Sequence, residues 1–152
     1  LIPNTLTAEI NSKNWIKQCA NEDKNCLIAI TLEIVDENSN IKKTLATAYV
    51  RIGLNSKKEK IPVFFLMLPF NTNLQKKPKI IVDETVFLNL DFTHCNTKDG
   101  CITQNTFNQK GVSLLKEGKE LNIIYEDYKL KKNIQLKLPL KGFTKAYDSL
   151  TK

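Results

Sequence analysis

The sequence predicts a mainly β fold, an antiparallel sandwich or barrel, with two short helices set among the strands. Three observations carry this. Apolar residues recur at every second position in most of the patterned segments, which puts one face of each segment on a core and the other in water. Clusters of Asn, Asp, Ser, Gly and Lys separate those segments at short intervals, as turns separate strands. Helical spacing of apolar residues appears in only two places, both near the C-terminal end.

Taken in order, Ile28, Ile30, Leu32 and Ile34 share one face while Thr31 and Glu33 take the other. The next run starts near Lys43 and sets Val50, Ile52 and Leu54 against Tyr49, Arg51 and Gly53. Val63 to Leu68 is apolar without a break, the pattern of a strand covered on both faces. Val86, Leu88, Leu90 and Phe92 alternate with Asn89 and Asp91 and read as one strand. Leu121, Ile123 and Tyr125 form another, and Ile134, Leu136, Leu138 and Leu140 alternate with Gln135, Lys137 and Pro139. Turn signals stand at 36–40, 55–58, 71–73, 96–100 and 131–133. About eight strands at this spacing favour a sandwich or barrel over alternating strands and helices. The first helix is expected to start at a capping box, Thr106 with Gln109, and to end at a left-handed Gly118. The second runs from Phe143 to Leu150 behind Gly142.

With 152 residues, the chain has the length of one domain, expected over 1–152 with its core from about residue 12 to 150. Hydrophobic residues at 41% and charged residues at 26% are globular values, and no apolar run approaches the ~20 residues of a membrane-spanning helix. The net charge of +7 is almost all lysine, because Arg51 is the sole arginine. Lys, Asn and Ile share AT-rich codons, so much of this excess reads as genome composition. It still favours encounter with anionic surfaces such as lipid head groups, envelope polymers or nucleic acid.

The four cysteines fall into two close pairs, Cys19 with Cys26 and Cys95 with Cys101. Their spacing is too wide for a zinc knuckle, and their even number suits an oxidising compartment. Local pairing, each bridge closing a loop of about seven residues and contributing roughly 2.5 kcal/mol, is the expected arrangement. Crossed bridges, free thiols and a metal site stay open alternatives at this point. Leu1-Ile2-Pro3-Asn4 has neither the basic start nor the apolar stretch of an export signal, so a mature form is expected, with the signal removed.

Few residues invite a catalytic reading. His94 is the sole histidine and stands beside Cys95, but neighbours on a strand point to opposite faces, which argues against a thiol–imidazole pair. Asp36-Glu37, Asp83-Glu84 and Glu126-Asp127 are read as solvated loop or strand-end carboxylates; a periplasmic hydrolase built on Asp83, Glu84 or His94 is the rival reading. Isolated glycines form no phosphate-cradling loop, and no cofactor is expected. Lysine clusters at Lys57, Lys58 and Lys60, at Lys76, Lys77 and Lys79, and over 129–132 are candidates for anion binding. The first two flank a strand whose eight residues span roughly 25 Å, so dispersed charge is expected rather than one patch. Base-specific readers rely on arginine, so nucleic acid is not an expected partner.

Several features occur in a particular order. They are Trp15-Ile-Lys-Gln-Cys19, Cys26, Leu66-Met-Leu-Pro69, Ile81-Val-Asp83, Cys95 with Gly100-Cys101, Leu114-Leu-Lys-Glu-Gly118-Lys119, and Leu138-Pro-Leu-Lys-Gly-Phe143 with Ala146 and Leu150. In that order they resemble the invasion-associated locus B family of exported bacterial proteins, from Trp15 to Leu150. The resemblance implies an immunoglobulin-like β-sandwich, two disulfides, a periplasmic or secreted location, and a link to host-cell invasion in some pathogens; it implies no catalytic residues. Where the family tends to carry glycine after Leu-Pro, this chain has Phe70-Asn71, and Asn71 is expected to supply a positive φ in its place. Lys76-Lys-Pro-Lys79 likewise lacks an expected glycine. The expected role is therefore a non-enzymatic module that binds a protein or an envelope polymer, with peripheral association with the membrane or envelope. A structural or chaperone-like binder of anionic envelope polymers is the further alternative.

Overall fold

A computed structural model describes residues 5–7, 11–12, 14–22, 24–35 and 42–151. Its strands are β1 (Thr5–Thr7), β2 (Asn11–Ser12), β3 (Ile16–Asn21), β4 (Lys24–Val35), β5 (Lys42–Leu54) and β6 (Lys60–Leu68). After these come β7 (Lys79–Val82), β8 (Thr85–Asn89), β9 (Phe92–Asn96), β10 (Gly100–Thr106), β11 (Glu120–Asp127) and β12 (Lys132–Pro139). The helices are α1 (Gln109–Glu117) and α2 (Phe143–Leu150). One sheet runs β1-β12-β11-β7-β8; the other runs β2-β4-β5-β6-β10-β9, with β3 also paired to β4. Pairing is antiparallel except between β1 and β12. The architecture is the sandwich-like antiparallel one with two helices that the alternation predicts.

Alternation places the core. Ile28, Ile30, Leu32, Ala48, Val50, Phe64 and Leu66 come from the larger sheet and meet Ile80, Val82, Leu121, Ile123, Leu136 and Leu138 from the smaller one. The apolar run of β6 is covered on both faces. Its outward Phe65 is 7% exposed, stacked on Tyr49 at 4.7 Å with the Arg51 guanidinium over its ring at 5.2 Å. An aromatic stack with a cation above it does on the outer face what core contacts do on the inner one.

Three local expectations are corrected. The alternating run from Val86 to Phe92 is two strands, β8 in the smaller sheet and β9 in the larger. Leu90 sits between them with no exposure, its amide on the Pro78 carbonyl at 2.8 Å. The chain changes sheets there while Leu90 still faces the shared core, so the alternation continues through the corner. Thr106 ends β10 instead of capping α1; Asn108 is the cap, its side chain accepting the Gly111 N–H at 3.0 Å. Gly118 is extended at φ −72° instead of left-handed. A Cβ there would stand 2.5 Å from Val82 Cγ1 and 2.9 Å from Leu140 Cδ1, so the glycine is required for close approach of the helix end to the sheet.

Both helices cover one end of the sandwich. There Trp15 is 6% exposed, donates from Nε1 to the Pro139 carbonyl at 2.9 Å, and meets Phe143 edge-on at 5.1 Å. Phe143 in turn packs on Tyr147 at 5.7 Å. Lys116 closes the lid from α1, bonded to Asp148 at 2.7 Å and standing over the Tyr147 ring.

Candidate functional site

Among the described residues, the other end of the sandwich carries no helix. The segment after β6 turns at Pro69, whose carbonyl accepts from the Thr72 amide at 3.1 Å and the Thr72 hydroxyl at 2.6 Å. Asn71 is not among the residues with positive φ, so threonine closes this turn and the expected left-handed asparagine is not used. The segment then docks along the end of β11. The Asn73 amide donates to the Glu126 carbonyl at 2.8 Å, and the Tyr128 amide donates to the Asn71 carbonyl at 2.8 Å. Side chains repeat the attachment: Asn71 Nδ2 reaches Asp127 Oδ2 at 2.6 Å, Asn73 Nδ2 donates to Glu126 Oε2, and Lys76 Nζ meets Glu126 Oε1 at 3.0 Å. Asp127 also accepts the Leu130 amide at 2.8 Å, which shapes the β11–β12 turn. Hydrogen bonds from Asn73 and Lys76 hold the Glu126 carboxyl below its ordinary range, while burial pushes the Tyr125 hydroxyl up.

A third element is the β9–β10 turn, clipped by the Cys95–Cys101 disulfide. Gly100 sits in it at φ +85°, and a Cβ there would lie 1.9 Å from the Leu68 carbonyl oxygen. Only glycine lets this turn press against the end of β6. The three elements enclose an open cleft of about 1150 Å³ that reaches back to Thr44–Thr47, Tyr125 and Ile134. Six large apolar side chains are exposed among the described residues, and four belong to this end: Phe70 at 57%, Leu74 at 53%, Tyr128 at 65% and Leu130 at 55%. Single exposed apolar residues are ordinary; here four stand on one hydrogen-bonded frame at the same end.

The residues singled out by the sequence are dispersed. Cys19 is bonded to Cys26 across β3 and β4, and Cys95 to Cys101 across β9 and β10. With Cys95 in a disulfide, exposed His94 has no thiolate beside it; its Nδ1 contacts the Thr93 hydroxyl at 3.0 Å. Asp83, left-handed at φ 54°, accepts the amides of Lys119 and Glu120, each at 3.1 Å, and so ties the β7–β8 turn to β11. Glu84 is exposed beside it, and Asp36 and Glu37 lie outside the described residues. No cluster of three metal-ligating side chains occurs among the described residues, and no helix there is long and apolar enough to cross a membrane. Lys57, Lys58 and Lys60 stand at the start of β6, in the turn built on Asn55, whereas Lys76, Lys77 and Lys79 follow its far end. Lys76 is paired with Glu126 and Lys77 with Asp91 at 2.7 Å. The two lysine groups thus flank opposite ends of β6.

Phe70, Leu74, Tyr128 and Leu130 escaped the sequence reading because they sit in turn-rich stretches with no period. The usable signal was their type: large apolar residues flanking the polar run Asn71-Thr-Asn73 and beside Lys129, where a plain solvent loop has no use for them.

The profile of the family described as Invasion associated locus B (IalB) protein matches residues 15–151. Two proteins named Invasion protein B homolog, from Brucella abortus strain 2308 and from its biovar 1 strain 9-941, are each 32% identical over 85 residues. That stretch is 56% of this chain and 49% of theirs, so the chain spans about half the length of these relatives. The crystal structure of invasion associated protein B from Bartonella henselae superposes with a TM-score of 0.71 at 22% identity, over 95% of this chain and 96% of that one. At that identity the likeness is one of fold.

Proposed function

This chain belongs to the invasion-associated locus B family, and from that premise we propose that it is an exported, non-enzymatic protein of the bacterial envelope or its surroundings that binds another macromolecule through the loop end of its sandwich. The observation that carries the reading is the group of four exposed apolar side chains raised on the hydrogen-bonded frame between 69–78 and the β11–β12 turn. Sandwich ends, where loops from both sheets gather, are natural recognition surfaces because the sheets below hold them rigid. Two disulfides, each closing a short loop, support export, since such bonds persist in oxidising compartments. A non-enzymatic role is supported by what the carboxylates do: Asp83, Glu126 and Asp127 all serve as acceptors for turns.

The test is photo-cross-linking in living cells. A photoreactive residue at Tyr128 should yield a partner adduct, whereas one at Leu54, equally exposed where β5 ends at the helix end, should not. Equal adducts from both positions, or none from Tyr128, would overturn the reading. As a control, Phe70→Ser and Leu74→Ser, made in the protein that carries the photoreactive residue at position 128, should change stability by no more than about 0.5 kcal/mol, as exposed substitutions do, while removing the adduct.

A further inference from the structure

We propose that the Cys19–Cys26 disulfide is a thiol-exchange site open to anionic thiols, whereas Cys95–Cys101 is a fixed bond of the fold. The two bridges are alike in type. Each joins residues directly opposite one another in an antiparallel pair, with Cα atoms 4.0 Å apart. Their surroundings differ. All six residues of β3 are exposed, Cys19 among them, and among the described residues β3 pairs with β4 alone. Cys101 has no exposure, because β10 lies between β6 and β9 and sets Cys101 opposite Leu68 as well as Cys95.

Register also places charge beside the open bridge. Residues two apart on a strand share a face, so Lys17 stands on the face of Cys19 and Lys24 on the face of Cys26. The pairs Lys17–Ile28 and Asn21–Lys24 flank the bridge, and each lysine is diagonal to the cysteine of the other strand. Neither lysine forms an ion pair among the described residues; Lys17 Nζ donates to the Ser149 carbonyl at 3.2 Å, which leaves its charge uncompensated. Glu22 stands in the turn beyond the Asn21–Lys24 pair. An open cleft of about 320 Å³, lined in part by Lys17, Ser149 and Leu150, reaches Cys26. An incoming thiolate attacks Cys19 Sγ and forms a new S–S bond; the Cys19–Cys26 bond breaks, and its electron pair leaves on Cys26 Sγ. The lysines stabilise both anions, the one arriving and the one departing. The second thiol of a dithiol protein then releases Cys19, so that the dithiol is oxidised to its disulfide and this chain takes up two electrons and two protons. At the other bridge, a thiolate leaving on Cys101 would form in a fully buried position, which disfavours the charge. Opening Cys19–Cys26 frees the hairpin tip, while Trp15 keeps the base of β3 on the core.

Timed reduction of the whole protein at low ionic strength, quenched with iodoacetamide and read by peptide mass, provides the test. With anionic 3-mercaptopropionate, Cys19 and Cys26 should be labelled at least roughly tenfold sooner than Cys95 and Cys101, and the trapped mixed disulfide should sit on Cys19. Lys17→Gln together with Lys24→Gln should slow that reaction roughly threefold or more and leave the reaction with uncharged 2-mercaptoethanol unchanged. About 0.5 M sodium chloride should do the same to the parent protein, so the charge effect is readable without any substitution. A bond that is merely exposed would show no such dependence on the charge of the thiol. Equal labelling of the two pairs, adducts mainly on Cys26, or the same response to both thiols in the variant and in salt would overturn the inference. Loss of the far-ultraviolet β spectrum once Cys19–Cys26 alone is open would also overturn it, because that bond would then be holding the fold.

Discussion

Each end of the sandwich has its own disulfide clip, and there the likeness stops. At the helix end Cys19–Cys26 closes the β3–β4 hairpin, and Trp15, Phe143 and Tyr147 pack above the core at 6%, 1% and 4% exposure. At the loop end Cys95–Cys101 closes the β9–β10 hairpin, yet Phe70 and Tyr128 remain at 57% and 65% exposure. Rings of the same type are packed into the fold at one end and stand exposed at the other. What replaces ring packing at the loop end is a ladder of hydrogen bonds between 71–76 and 126–128. Ring packing at the helix end excludes water, whereas the hydrogen-bonded frame holds the loop-end rings in position without burying them.

The largest effect that could break this comparison lies at the helix end. Trp15→Ala or Phe143→Ala should each cost about 3 to 5 kcal/mol, the range for truncating a buried aromatic residue. The double variant should lose less than the sum, because the two rings touch. Urea unfolding followed by far-ultraviolet circular dichroism measures both. A loss below about 1 kcal/mol for either would mean that this cluster is not what closes the end.

The same contrast explains what the sequence discloses and what it hides. Trp15, Gly100-Cys101 and the Leu138–Phe143 stretch are legible because each is the sole chemical solution to a packing problem. The indole must reach the Pro139 carbonyl, and Gly100 must pass within a Cβ radius of the Leu68 backbone. Strands are legible wherever one face meets the core, as in β4, β5, β11 and β12. The corner at Leu90 is hidden because alternation does not register a change of sheet. The N-terminal strands β1 to β3 are hidden because short edge pairings need little amphipathic pattern. The loop-end cleft is hidden for a different reason: its frame joins Asn71 to Asp127, 56 residues apart, and no local pattern encodes such a pairing.

A middle-sized effect sharpens the comparison through the two clips. The bridged residues are 7 and 6 positions apart, so chain entropy assigns each a similar contribution of about 2.5 kcal/mol. Replacing Cys19 and Cys26 together by Ala, or Cys95 and Cys101 together, should therefore lower the unfolding free energy by comparable amounts. Local hydrogen exchange should separate them: loss of Cys95–Cys101 should speed exchange over 97–100, and loss of Cys19–Cys26 should leave that turn protected. Faster exchange at 97–100 in both variants would show that the loop end leans on the helix end, and the picture of two independent ends would fall.

The smallest effect is an acid-induced loosening confined to the loop end. Glu126 is held below its ordinary carboxyl range first by the Asn73 hydrogen bond and then by Lys76. A carboxyl whose folded value lies below its unfolded one contributes stability above the ordinary value of 4.5 and loses it as pH falls through the lowered one. Below that point the protonated acid no longer pairs with Lys76, and the attachment of the 71–76 segment to β11 weakens. Because the carboxylate's partner Lys76 is largely exposed, the change should be modest and local. It should appear as accelerated exchange at the Asn73 and Tyr128 amides between pH 5 and about pH 3, with the Trp15 indole signal unchanged. In Glu126→Gln, which keeps an oxygen for Asn73 but removes the charge that draws Lys76, both amides should exchange faster even at neutral pH and the acid step should vanish. Persistence of that step in the variant would assign it to another carboxyl, and simultaneous loss of Trp15 indole protection would make it global unfolding. Either result would take Glu126 out of the frame that holds Phe70, Leu74 and Tyr128 in place.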